Sequence, residues 1–404
     1  MAHIYVGIDW ADDHHDVYVT DDSAKQLDRF AIAHSYQGIE ELKRRLAKFE
    51  AVPEKILVAI ECHRGLLIYS LLDAGYQVYP VNPKSMSRYR DRYRMSTSKS
   101  DPQDAMVLAN ILRTDLHLHK PLLRESLDDA GLKQLTRAHK SLVQLRVKVV
   151  NQMTAELKSY YPVILQIFSK LDQEITLAFL GQYPTPGKAQ SATFDELESF
   201  FRNQHYTRPR KLLFIFESLQ KPALRAPQGL EDAHQVVILS FIPILRSMLT
   251  QADTMEDKIA LAFKQNPACK IFSSLPAGKI TTARLSGEIG SDKSRYPTPG
   301  YLQTDAGTAP VTIRSGKSVV VTFRWQCNKH LRDAFQSLAR ESVTKCPWAR
   351  DYFVKQMKLG HKASRAYRAL ANRWVVILWK MLQEGQPFSQ ARLEKGIAGV
   401  LIAT

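Results

Sequence analysis

Two alternating runs at the start of the chain, Ile4 to Asp9 and Asp16 to Thr20, constrain the fold more than any other stretch. Ile4, Val6 and Ile8 alternate with Tyr5, Gly7 and Asp9, the period of a strand. A polar run, Asp12 to Asp16, separates the two, so the spacing predicts a β-hairpin with Asp9 near the end of its first strand. A carboxylate buried there without a partner is costly. Asp9 is therefore either exposed at a sheet edge or set beside a cation, and the chain that follows favours the cation.

The next hundred residues extend the sheet. Gln26 to Ala33 reads as a third strand, and Ile39, Leu42 and Leu46 place a helix within Tyr36 to Phe49. Lys55 to Glu61 is a buried strand between Pro53 and the Arg64-Gly65 break. Gly65 to Ala74 is a helix ending at Gly75, and Tyr76 to Val81 is a fifth strand whose end Pro80 weakens. A further helix opens at Asp101-Pro102. Two hairpin links come first and right-handed crossovers later. That order is the ribonuclease H-like arrangement, a mixed sheet with helices on both faces.

In such a sheet the first and fourth strands are neighbours, so Asp9 and Glu61 end side by side. Asp101 and Asp104 lie three apart at the start of a helix and share a face. Four carboxylates then converge on one or two Mg2+ ions, with Mn2+ as a substitute, because hard cations take oxygen ligands. Two such ions suit phosphodiester chemistry. Asp101-Pro102-Gln103-Asp104 also reads as a helix cap with Pro at its first position; Asp9 and Glu61 in matching places tip the reading to metal. The cluster Asp12, Asp13, His14, His15 and Asp16 reads as a solvated turn.

Lys84 to Lys99 carries Lys84, Arg88, Arg90, Arg92, Arg94 and Lys99 against the single acid Asp91, with Tyr89 and Tyr93 interleaved. Arginines pair with phosphates and tyrosines stack on bases. The whole chain of 404 residues has a net charge of +16, which favours a polyanion partner, most simply nucleic acid. That length implies two or three domains. Cys62, Cys269, Cys327 and Cys346 show no C-x-x-C spacing and fit a reducing cytosol rather than zinc or disulfides. No cleavable signal is read at the start. Val236 to Leu245, the most apolar run, contains Pro243 and is too short to span a bilayer, so no membrane is expected.

Leu132, Leu135, Leu142, Leu145, Val149, Met153 and Leu157 mark a long amphipathic helix or coiled coil from Leu127 to about Phe168, which Pro162 should end or kink. A second helical stretch runs from about Asp232 to Phe263, interrupted at Pro243. Tyr-Pro-Thr-Pro-Gly occurs at both 183–187 and 296–300, which shared turn chemistry accounts for. Ile271 to Gly290 reads as two short helices with a turn at Pro276 to Lys279, and Asn328 to Arg340 and Ser364 to Leu382 as helices. Basic residues are dense here, among them Arg314, Lys317, Lys329 and Arg332. Ser315 precedes Gly316 in a basic loop and could attack a phosphate, although Ser-Gly is also a commonplace turn pair.

These residues resemble the DEDD transposases of bacterial insertion sequences, the family called one-ten, with relatives among the pilin-gene invertases. The resemblance covers most of the chain. It is carried by Gly7-Ile8-Asp9, Ile60-Glu61, Val81-Asn82-Pro83 and Lys99 to Ala105, then by Ser274-Leu275-Pro276, Ala309-Pro310, Ser315-Gly316-Lys317 and Asn328 to Arg332. It implies a RuvC-like α/β domain (1–125), a helical coiled-coil spacer with an insertion (126–268), a mostly α transposase domain (269–388) and a tail (389–404). It implies that Asp9, Glu61, Asp101 and Asp104 are the metal tetrad and that Ser315 is a nucleophile forming a phosphoserine bond with DNA. It further implies donor and target DNA as substrates, a noncoding bridge RNA as guide, and dimers pairing into tetramers in the bacterial cytoplasm at the nucleoid. Cys62-His63-Arg64 and the turn Pro276 to Lys279 depart from the family pattern, and extra residues lie between about Ser169 and Leu230. The rival readings are a metal-only nuclease or Holliday-junction resolvase, an inactive nucleic-acid-binding protein, and an actin-like sugar kinase. The kinase is disfavoured because Trp10-Ala11-Asp12 stands where a phosphate loop belongs.

Overall fold

The computed structural model describes residues 3–61, 65–93, 101–122, 126–206, 211–222, 225–316 and 318–392; at 91–93, 101, 102, 127 and 392 it describes the backbone alone. The chain forms two compact units, Met1–Arg124 and Glu125–Thr404.

The first unit is a mixed sheet between helices. Its elements are β1 (Ile4–Trp10), β2 (His14–Thr20), β3 (Gln26–Ala33), α1 (Tyr36–Leu46), β4 (Ile56–Ile60), α2 (Leu66–Asp73), β5 (Gln77–Pro80), α3 (Pro83–Tyr93) and α4 (Asp101–Asp115). The strand order is β3-β2-β1-β4-β5. Neighbours β1–β2 and β2–β3 are antiparallel, whereas β1–β4 and β4–β5 are parallel. Strand parity sorts the side chains. Val6, Ile8, Val17, Val58, Ile60 and Val78 pack on Leu42 and Leu46 of α1 and Leu67 and Leu71 of α2. Tyr5, Leu57, Ala59 and Tyr79 face Met86 of α3 and Leu108, Ile111 and Leu112 of α4. Each fully buried aliphatic side chain contributes about 1.5–3 kcal/mol.

Gly7 sets how close α4 can come. A Cβ there would sit 1.9 Å from the Ala105 carbonyl oxygen and 2.6 Å from the Ala109 nitrogen. Only glycine lets the backbone of α4 lie directly on β1.

The second unit is mostly helical. It begins with α5 (Leu127–Tyr160), α6 (Ile164–Ile167), α7 (Glu174–Gln182), α8 (Pro186–Gln190), α9 (Phe194–Asn203), α10 (Leu212–Gln220) and α11 (Gln228–Gln265). It continues with α12 (Cys269–Ser273), α13 (Lys279–Ile289), α14 (Pro299–Asp305), β6 (Val311–Ser315), β7 (Ser318–Thr322), α15 (Lys329–Lys345), α16 (Pro347–Lys358), α17 (Ala363–Glu384) and α18 (Gln390–Arg392). Helices α5 and α11 run antiparallel between two cores. Met153 and Leu157 of α5 meet Ile238 and Ile242 of α11 in an aromatic core with Phe179, Phe200 and Phe201. Leu132 shares the other core with Ile259, Phe263, Phe335 and Trp374. Helix α5 ends just before Pro162, as its sequence predicts.

Helix α11 differs from expectation. It is continuous for 38 residues through Pro243. Pro243 lies on the exposed side of the helix, and its ring leaves the carbonyl four residues earlier without its helical partner. By length and composition α11 reaches what a bilayer crossing requires, with a mean hydropathy of 1.4 over 18 residues. The run Val236 to Leu245 is thus part of a longer helix than expected, and the apolar positions that α11 buries pack against α5 and its neighbours. The two Tyr-Pro-Thr-Pro-Gly segments both place a threonine at a helix N-cap with proline following, but only the Thr185 hydroxyl accepts a capping hydrogen bond, from the Lys188 N–H.

Buried ion pairs fasten α13. Arg137 of α5 donates to both Glu288 oxygens at 2.6 and 2.7 Å, and Asn328 donates to one at 2.8 Å. Burial pushes the Glu288 carboxyl up, but these donors outweigh it and hold it below its ordinary value. Arg284 pairs with Asp333 of α15 at 2.6 Å.

Candidate active site

Register and parity put the acids of the first unit on one face. Asp9 follows Gly7 at a spacing of two and so faces α4. The β1–β4 register pairs Gly7 with Ala59 and Ile8 with Ile60. One step further, Glu61 stands level with Asp9. Both are half-buried. Asp104 lies next to Ala105, where α4 touches Gly7, and is buried. The side chain of Asp101 lies outside the described residues.

The structure adds an acid that the sequence reading passed over. Asp16 is directly opposite Asp9 across the antiparallel pair. His14 and His15 belong to β2 and not to a solvated turn, which corrects that expectation, while Asp16 lies in β2 as its alternation predicts. Counting back along β2 from Tyr18, which packs on Ala105 and Ala109, would have found Asp16 on the same face. Like charges directly opposite one another destabilise a sheet unless a cation intervenes. The His14 ring nitrogen is 3.9 Å from Asp16. Gly7 carried its own signal, since a glycine inside a strand pattern marks a close backbone approach.

Arg90 is committed elsewhere than expected. Its guanidinium donates to Asp104 at 2.7 Å, across from α3 to α4. It therefore neutralises a buried carboxylate and is not a free cation for phosphate. Tyr89 likewise donates to Asp115 at 2.5 Å and packs, half-buried, against the core under α3 and α4. Lys84 and Arg88 are exposed. Arg94 and Lys99 lie outside the described residues, as do the side chain of Arg92 and residues Cys62, His63 and Arg64.

The donors present suit a hard divalent cation, because Asp9, Asp16, Glu61 and Asp104 offer carboxylate oxygens alone. The buried Asp104 already holds a positive group. As they stand, no three His, Cys, Asp or Glu side chains among the described residues are gathered closely enough to hold a metal ion. Loading would require Arg90 to release Asp104.

Beside this face His15 is fully buried. The Ala11 N–H donates to its Nδ1 at 3.4 Å, which leaves the proton on Nε2, and Nε2 donates to His34 Nδ1 at 2.8 Å. Burial, then the nearby His34 and His14, lower the His15 pKa from 6.5 to about 4.

Ser315 does not sit in a loop, as its sequence suggested. It is the last paired residue of β6, opposite Ser318 of β7. Gly316 follows at φ +55°, a left-handed geometry that favours glycine. Lys317 lies outside the described residues. The hairpin is exposed on both faces, Ile313, Val319, Val320 and Val321 included. Arg314 and Lys329 are exposed. Arg332 is not free: it donates to the Arg324 carbonyl and contacts the Cys327 sulfur.

Residues 6–162 match the DEDD transposase family of IS110, and residues 269–354 match the transposase family of IS116, IS110 and IS902. A protein of the IS117 mini-circle from Streptomyces coelicolor, named as a transposase, is 34% identical over 96% of both chains. The uncharacterized 44.8 kDa protein of insertion element IS116 from Streptomyces clavuligerus is 25% identical over 96% of both chains. The uncharacterized 42 kDa protein of IS900 from Mycobacterium paratuberculosis is 23% identical over 94% of this chain and 96% of its own.

Proposed function

The chain belongs to the IS116/IS110/IS902 transposase family, and on that premise we propose that it cuts and rejoins DNA strands through a covalent bond between Ser315 and a DNA phosphate. The observation that carries the reading is the shared face of Asp9, Glu61 and Asp104, which come from β1, the end of β4 and α4. Membership of a DEDD family implies dependence on a divalent metal. The proposal is that the first unit is ribonuclease H-like and RuvC-like, with Asp9, Glu61, Asp101 and Asp104 as ligands of Mg2+. Bound there, Mg2+ lowers the cost of negative charge on the attacking and leaving oxygens.

The protein's own part follows from its residues. The Ser315 hydroxyl attacks phosphorus; the new Oγ–P bond forms as the bond from phosphorus to a sugar oxygen breaks, and that oxygen leaves as a hydroxyl with the proton. A second DNA hydroxyl reverses the exchange and frees Ser315. Bond energy is conserved, which hydrolysis would waste. An exposed hairpin tip suits this role, because it can reach a backbone that a flat surface could not. Arg314 draws the phosphate in. A bridge RNA pairing with donor and target DNA, an α5–α11 coiled coil, and dimers that assemble into tetramers with sites shared between subunits complete the proposal. So does action at the nucleoid in the bacterial cytoplasm.

Asp9→Ala and Glu61→Ala should each abolish strand exchange while the circular dichroism spectrum keeps its native form. Removing one carboxylate removes a ligand and also relieves repulsion, so stability without metal holds or rises. Full recombination by both variants would overturn the site.

A further inference from the structure

Phe323, Arg324 and Trp325 follow β7 at the foot of the hairpin whose far end carries Ser315. Trp325 is 78% exposed, the largest exposure among the described large apolar side chains. It does not stand alone: Ile313, Val319, Val320 and Val321 of the same hairpin are also exposed, and such a concentration of apolar surface marks an interaction site rather than a scattered side chain. Trp325 is not hanging on a loose loop. The Phe323 ring buttresses it edge-on, with centroids 6.2 Å apart at 88°. Arg332 lies over the Phe323 ring at 4.1 Å, and Arg368 at 5.6 Å. Arg332 also ties the loop down through the Arg324 carbonyl and Cys327. Arg324 Nε donates to the Ala309 carbonyl at 3.4 Å, and the Asn328 N–H to the Asp305 carbonyl at 2.8 Å. Phe323 is thus occupied, and Trp325 offers the open aromatic surface.

The charge around it selects the partner. Residues 306–332 contain no Asp or Glu, but carry Arg314, Lys317, Arg324, Lys329 and Arg332. An apolar protein surface or a lipid chain gains nothing from that excess, whereas a nucleobase on its phosphate backbone matches both parts. An unpaired base presents a π-face to a rigid indole, and such stacking contributes about 1–3 kcal/mol per base. The strand from Ser315 back to Val311 is four residue steps, about 13 Å. That is about four stacked base steps along one strand.

We propose that Trp325, buttressed by Phe323, is a stacking platform for an unpaired base of the DNA strand whose phosphate Ser315 attacks. It is a positioning residue: it holds the opened strand in register with the hairpin tip. The proposal rests on the Ser315 reading for its choice of strand, but base stacking is measured separately.

The test uses the full chain, with and without Ser315→Ala, and fluorescence anisotropy of labelled oligonucleotides. One DNA duplex carries a four-base unpaired bubble, and a second is fully paired. Trp325→Ala should weaken bubble binding about tenfold, the equivalent of about 1.4 kcal/mol, and leave duplex binding unchanged. Trp325→Phe should recover most of the loss. Failure of the parent chain to prefer the bubble, equal affinity in Trp325→Ala, an equal loss on the paired duplex, or no recovery in Trp325→Phe would each overturn the platform. A loss confined to an RNA bubble of the same sequence would overturn its assignment to DNA. Loss of Ser315 chemistry with this pattern intact would leave the platform standing and remove only the nucleophile.

Discussion

Asp9 shows how far a single residue could be followed from the sequence. Its place near a strand end and the cost of leaving it unpartnered were legible, and so was its pairing with Glu61. Asp16 was legible as the start of the second strand, but not as a member of the acidic face, because a run of Asp and His looks the same in a turn as at the start of a strand. Nor was the Arg90–Asp104 pair, since sequence shows a cation and an acid but not that α3 and α4 bring them within 2.7 Å. His15 gives the prediction at this scale. Burial holds its folded pKa near 4, below the 6.5 of the unfolded chain, so the folded state binds fewer protons between those values. The contribution is complete above pH 6.5 and falls as pH drops toward 4, by about 3 kcal/mol at most. His34, His14 and Asp13 face the same ring or its neighbour, and all three are present in both proteins compared. Urea unfolding at pH 7 and pH 4.5 should show a smaller loss in His15→Gln than in the natural chain. An equal loss would remove His15 as the acid-labile group.

At the scale of elements, the five strands and the helices between them could be read because period two and helical spacing are local signals. What could not be read was the path through Pro243, where packing of α11 on α5 overrides a local breaker. Helix α16 was also missed: it is amphipathic over only three turns and begins at Pro347, which reads as a loop. The close seating of α4 on β1 was half visible in Gly7. Gly7→Ala forces a methyl group against the α4 backbone and should lower unfolding stability by about 3 kcal/mol, because backbone cannot yield as a side chain can. Strand exchange should fall with it, as α4 carries Asp104. Chemical denaturation gives the first quantity; unchanged stability in Gly7→Ala would mean that α4 does not rest on β1.

The whole molecule joins a mixed α/β unit bearing acids to a helical unit bearing an exposed basic hairpin. Charge pointed to a polyanion from the outset, since +16 over 404 residues has no simpler use than nucleic acid. The composition could not say which cations are free: Arg90 and Arg332 are spent inside the protein, whereas Arg88, Arg314 and Lys329 are exposed. Ser315 stood out in sequence only through resemblance, because a hairpin tip and a plain turn share the same residues. The central claim is that this hydroxyl becomes bonded to DNA. The direct measurement is mass spectrometry of the protein trapped on DNA with metal and guide RNA, digested with nuclease and protease to locate the retained phosphate. The account predicts phosphate on Ser315, no adduct in Ser315→Ala, and an undiminished adduct in Ser318→Ala. Phosphate on Ser318 or Thr312, or an adduct that persists in Ser315→Ala, would contradict it.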